Sequence, residues 1–359
     1  MPNVLGNTRG FFTFGLYYLT MINNIHEWLE ELKTAKIKKA MPILSFPCVS
    51  LLGITVRELI SNSDKQARGM KLIAEKVDSA AAVSLMDLSL EAECFGSETR
   101  FSDDEVPTIT GSIVSDMESA KALKIPPIGA GRMPVYIEAA GKAVQMIHDR
   151  PVFAGIIGPF SLAGRLVGVS EAMINCYEES EMMHTVLSKT TDFLIAYAEE
   201  FKKTGVHGIL MAEPLTGLLS PDLAGEFSQP YVRKITDAVR DQNFIVIYHN
   251  CGNATIQMID SILENGADAY HFGNAIDMSE MMKHIPENTI AMGNIDPAGQ
   301  FRNGTPESIR KATLDLMLKC SKYPNFVVSS GCDIPPLSDW KNIEAFFAAV
   351  KEFYSGPGV

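Results

Sequence analysis

Apolar residues in this chain gather in short unbroken runs, separated by longer stretches where they recur every three or four positions. The runs are residues 42–46 (PILSF), 81–86 (AAVSLM), 152–157 (VFAGII), 207–211 (HGILM), 244–248 (FIVIY), 267–271 (ADAYH), 289–292 (TIAM) and 326–329 (FVVS). Mostly continuous rather than alternating, they have the composition of strands buried on both faces. Helical patterns cover 23–39, 55–60, 63–76 (started by Ser63-Asp64 as a cap), 135–148, 170–201 and 340–353. Strands alternating with helices call for a parallel sheet, because each crossover returns the chain to the same edge. Eight is the number at which such a sheet closes into a (β/α)8 TIM barrel. The expected architecture is one α/β barrel domain over 41–359, preceded by an N-terminal helical extension in 1–40. An open doubly wound sheet is the rival, but no Gly-x-Gly-x-x-Gly turn opens one here. Residues 95–130, with Asp103-Asp104-Glu105 and several prolines, read as a lid or side hairpin.

A barrel gathers the C-terminal ends of its strands at one rim. The residues expected there include Asp87, Glu213, His249, Cys251, Asn294, Asp296 and Cys332. His249 and Cys251, spaced i, i+2 at a strand end, leave on one face if strand geometry runs through them. With Cys332 from the eighth strand they make two soft sulfurs and an imidazole, a set that suits zinc. Three protein ligands leave a fourth position open, as catalytic sites do, and the paired Cys-x-x-Cys knuckles of structural sites are absent. Cys48, Cys94, Cys176 and Cys320 lack partner motifs and read as small buried hydrophobes. His207 begins a strand, on the wrong rim, whereas His271 is a competing rim ligand. Glu213 is a candidate fourth or exchangeable ligand, or else a carboxylate orienting His249. Asp87 and Asn294 are candidates for gripping substrate.

Composition narrows the partners. Of 359 residues 46% are hydrophobic, ample for a large core, and the net charge of -12 has no Lys/Arg-rich run interleaved with aromatics. Nucleic acid is therefore not an expected partner. No apolar run approaches the roughly 20 residues that cross a bilayer, so no membrane association is expected. Six scattered cysteines read as reduced thiols of a cytoplasmic enzyme. Residues 11–22 are apolar but lack a basic flank and a cleavage site. The expectation is that translation starts at Met21 and that residues 1–20 are not native.

Six stretches, in order, carry a family resemblance: DLSLEAECFG (87–96), GPFSLAG (158–164), AEPLTGLLSP (212–221), HNCGN (249–253), GNIDP (293–297) and SSGCDIPP (329–336). The chain from about Pro42 onward resembles the uroporphyrinogen decarboxylase superfamily, and within it the zinc-dependent methylcobamide:coenzyme M methyltransferases. The resemblance implies a (β/α)8 barrel and a Zn2+ ion held by His249, Cys251 and Cys332. It also implies transfer of a methyl group from a methylcorrinoid to a thiol such as coenzyme M, or to tetrahydrofolate. The Arg-Gln-Ala-Gly-Arg motif by which the decarboxylase branch grips porphyrin carboxylates is missing after Pro42. An Asp-x-His-x-x-Gly corrinoid motif is missing as well, so the corrinoid is expected on a separate protein. The alternatives are a metal-free decarboxylase-like enzyme acting on a tetrapyrrole and a non-catalytic partner of a corrinoid protein.

Overall fold

The computed structural model describes residues 24–355. Its strands are β1 (Ala82–Val83), β2 (Glu98–Arg100), β3 (Thr108–Thr110), β4 (Val152–Ile157), β5 (Gly208–Ala212), β6 (Ile245–Asn250), β7 (Ala269–Phe272), β8 (Ile290–Ile295) and β9 (Phe326–Ser330). β1 and β4 to β9 pair in chain order as one parallel seven-stranded sheet, and β2 with β3 forms an antiparallel hairpin. The continuous apolar runs are explained by burial on both faces. Leu210, Ile245, Ile247, Ala269, Met292 and Val327 share the core inside the curl of the sheet. Ile209, Met211, Val246, Tyr248, Tyr270 and Val328 pack outward under the helices.

The expected eighth strand does not form, and the sheet is a curled, TIM-barrel-like half-barrel rather than a closed eight-stranded barrel. Residues 42–46 carry no strand structure. The segment nonetheless lies against both ends of the sheet. Met41 N donates to Val328 O of β9 at 3.0 Å, and Ala80 N, just before β1, donates to Ala40 O at 2.8 Å. Met41 N and Ile43 N face β9, so Pro42, which has no N–H, offers no donor on the β1 side. Side chains take over: Ile43 N donates to Ser330 Oγ at 3.0 Å and Ser329 Oγ donates to Met41 O at 2.7 Å. The run at 81–86 likewise shortens to the two residues of β1.

The opening helix is Ile25–Thr34, shorter than 23–39, with Asn24 Oδ1 accepting from His26 N at 3.0 Å as its cap. Its i, i+3, i+4, i+7 positions Ile25, Trp28, Leu29 and Leu32 are buried in the inner core. Trp28 packs against Phe153 with tilted rings, centroids 5.3 Å apart, so the helix plugs the N-terminal end of the curl. The helix Ser63–Lys76 is as expected, though its cap is Asn62. The excursion at 95–130 contains the β2–β3 hairpin and a short helix, Met117–Ala122. The apolar segment 11–22 and the expected start at Met21 lie outside the described residues. Among the described residues no helix is long and apolar enough to cross a membrane.

Replacing a side chain that stands in for a ladder partner strands a buried backbone donor. Ser330→Ala leaves the Ile43 N–H unpaired, and we expect a loss of about 1–3 kcal/mol in urea unfolding. A loss below about 0.5 kcal/mol, the scale of ordinary surface substitutions, contradicts this account of the edge.

Candidate metal centre

At the C-terminal ends of the strands, His249, Cys251 and Cys332 offer one ligand atom each, all within 4.8 Å of one another. His249 is the fifth residue of β6, paired in register with Ala212 of β5 and His271 of β7, so its ring points into the curl. The strand ends at Asn250, whose buried Oδ1 accepts from Gly252 N and Thr255 Oγ1, both at 2.9 Å. That turn carries Cys251 back over the rim. Two close backbone approaches hold it there. A Cβ on Gly252 would overlap the backbone of Gly217, and one on Gly273 would overlap Cys251 itself. Cys332 follows β9, where Gly331 N donates to Ile295 O at 2.6 Å and Ile334 N to Ile43 O at 3.0 Å. The irregular segment after Met41 thus pins one side of the Cys332 loop.

The tautomer of His249 follows from its neighbours. Ser329 Oγ gives its only proton to Met41 O, so at the 2.7 Å contact with His271 Nε2 it must accept. His271 therefore carries its proton on Nε2 and presents a bare Nδ1. Burial, and then the neighbouring His249, keep His271 far below the usual histidine range, so it stays neutral. His249 Nδ1–H then donates to His271 Nδ1 at 2.8 Å. In the neutral ring this places the lone pair of His249 on Nε2, which is buried and without a hydrogen-bond partner. An orphaned lone pair beside two thiols is a geometry that a soft divalent ion would satisfy. The two thiols act on one another: Cys332 holds Cys251 below the usual thiol range, while Cys332 is pushed up to about 12 by Cys251 and by burial. The group lies on the wall of a cavity of about 430 Å³ that Ile43, Met86, Leu88, Ala212 and Pro214 also line.

The other expected residues are placed elsewhere. Glu213 is fully buried and its Oε1 accepts from Phe160 N at 2.7 Å. Its Oε2 accepts from Ser161 N at 2.9 Å, Ser161 Oγ at 2.6 Å and Thr216 Oγ1 at 3.2 Å. It caps the helix Pro159–Val167 from outside the curl, and the flanking Ala212 and Pro214 are what face the cavity. Burial raises it to about 7 against the pull of these donors. Asp87 accepts from Ser89 Oγ and Tyr136 Oη at 2.6 Å and from Arg132 at 2.5 Å, which ties the loop after β1 to the helix Met133–Met146. Asn294 Nδ2 donates to Gly273 O and Ile276 O, both at 2.9 Å, and so braces the loop after β7. Asp296 caps the turn Pro297–Arg302. Sequence reasoning took His271 for a rival ligand and passed over Ser329; the signal for both was their position on inward-facing sites of β7 and β9.

Glu213→Gln swaps one acceptor oxygen for an NH2 group, which in either orientation faces at least one of these donors. At pH 8 we expect it to lower folding stability by about 1–3 kcal/mol while bound zinc stays at the wild-type level. Loss of zinc in this variant would make Glu213 a ligand after all.

Comparison with known proteins places the chain among its relatives. A 27% identical relative over 74% of this chain and 78% of its own is the methylcobamide:CoM methyltransferase MtbA of Methanosarcina acetivorans. The uroporphyrinogen decarboxylase of Coxiella burnetii is 25% identical over 76% of this chain and 77% of its own. A solved structure, a methyltransferase from Methanosarcina mazei, superposes with a TM-score of 0.79 at 23% identity, covering 91% of this chain and 97% of that one. The uroporphyrinogen decarboxylase (URO-D) family profile matches residues 38–353, and the chain belongs to that family.

Proposed function

We propose that this protein is a corrinoid-dependent methyltransferase, moving a methyl group from a methylcorrinoid on a separate protein to a thiol such as coenzyme M. Tetrahydrofolate is the other acceptor considered. His249 Nε2 and the sulfurs of Cys251 and Cys332 are the proposed zinc ligands. The observation that carries the reading is the bare, buried Nε2 beside two cysteines on a cavity wall. Similarity to methylcobamide:CoM methyltransferases supports the methyl-transfer chemistry.

The donor set fits zinc, with one neutral imidazole and two thiolates leaving one position for a substrate atom. Zinc bound there would supply a Lewis acid that lets a thiol, ordinarily of pKa about 8.5, ionise near neutral pH. The chain itself does the rest. His271 fixes the His249 tautomer and is itself held by Ser329 and the carbonyl of Met41. Cys251 and Cys332 sit on loops that reach the rim from β6 and β9. The apolar side chains of Ile43, Met86 and Leu88 keep water from the sulfur, and the hairpin residues 105–108 wall the cavity from above.

Zinc quantification with a methylcobalamin demethylation assay, run against thiols and tetrahydrofolate, tests the reading. Wild-type protein should hold about one zinc per chain and methylate a thiol. Cys251→Ala should lose both while its far-UV circular dichroism is unchanged. Full zinc in Cys251→Ala, or activity in metal-free protein, contradicts the reading. His271→Phe, which offers no acceptor to His249 Nδ1–H, should weaken zinc affinity by about 10–100-fold; unchanged affinity would remove His271 from the account.

A further inference from the structure

Cys251 follows β6 and Cys332 follows β9, with β7 and β8 between them in the sheet. The loop after β7 touches both cysteine loops. Its first residue, Gly273, packs so closely on Cys251 that a Cβ there would lie 2.4 Å from the Cys251 Cβ. Its second residue reaches the other side. A Cβ on Gly331, the residue before Cys332, would lie 2.7 Å from Asn274 N. The turn at 273–276 is therefore a wedge, with Cys251 against one flank and the residue before Cys332 against the other.

The wedge crosses the end of β8, and one side chain there holds it down. Ile290 and Met292 of β8 face the inner core, so Asn294, two residues on, faces the same way. In register with Ser329 of β9, it donates from Nδ2 to Gly273 O and Ile276 O, both at 2.9 Å. One buried amide thus staples the two ends of the turn. A brace that served the loop alone would need no contact with either cysteine loop, whereas this turn touches both. We infer that Asn294 is a positioning residue for the metal ligands: by fixing the turn at 273–276 it sets the gap between Cys251 and Cys332. The inference rests on the zinc reading above and adds what fixes the spacing of the two sulfurs before an ion arrives. Removing the amide takes a donor from both carbonyls, and a turn that lifts no longer holds the two cysteine loops at one distance.

Zinc affinity by chelator competition on the full chain, with the spectrum of the cobalt(II)-loaded protein, tests this. Folded Asn294→Ala should bind zinc about tenfold or more weakly than the wild type. Its thiolate-to-cobalt charge-transfer bands should shift as the sulfur spacing changes. Asn294→Asp, similar in size but without the NH2 donors, should behave alike. Glu213→Gln, which costs stability away from the centre, should change neither readout, as a purely structural role would not. Should the Asn294 variants fail to fold, one glycine inserted after the exposed Asn274 lengthens the wedge from outside the core and should weaken zinc in the same way. Zinc affinity and cobalt bands like the wild type's, in folded Asn294→Ala or in the insertion variant, overturn the inference and leave the zinc reading standing. A wild type that binds neither metal sinks both. The expected losses without methyl transfer to any acceptor uphold the inference and sink the methyltransferase reading.

Discussion

The rim of this protein is organised by one chain of hydrogen bonds, from Met41 O through Ser329 and His271 to His249. Each link fixes the direction of the next, because a carbonyl can only accept and a hydroxyl has one proton. The consequence at the far end is chemical: in its neutral form the imidazole has its lone pair on Nε2, which is buried without a partner. A buried nitrogen without a partner is unfavourable in a folded chain. A second constraint, the glycine contacts at 217, 252 and 273, sets Cys251 beside that nitrogen.

The same chain of bonds ties chemistry to fold. It runs from β6 through β7 to β9 and ends on the segment before Pro42, where an eighth strand would close the barrel. Side chains of Ser329 and Ser330 replace ladder bonds at that seam. The seam is therefore both the place where the sheet departs from a closed barrel and the anchor of the proposed metal ligand's orientation. Ile43, in the same segment, lines the cavity and holds the Cys332 loop through its carbonyl.

Much of this was legible in the sequence. Continuous apolar runs give seven of the eight expected strands, since strands buried on both faces have no polar face to show. The convergence of His249, Cys251 and Cys332 is legible because histidine and cysteines at strand ends are rare enough to stand out. What failed is instructive. PILSF has strand composition, but Pro42 lacks a donor toward β1, and toward β9 the donor of Ile43 bonds to the Ser330 side chain instead of a ladder carbonyl. Glu213 looked like a rim ligand because it is the polar residue at the end of β5. It is one position out of phase, and side chains along a strand alternate faces. The inward position there is Ala212, which pairs with His249. Asp87 and Asn294 were read for their polarity, yet both brace loops through contacts with residues distant in sequence. No local pattern announces such partners.

The account turns on the coordination of one ion. Zinc-edge X-ray absorption of the purified protein measures it without any assay of activity. The predicted spectrum has two sulfurs at about 2.3 Å and one imidazole nitrogen at about 2.0–2.1 Å, with one further light atom. A first shell of nitrogen and oxygen alone, or of four sulfurs, would contradict it.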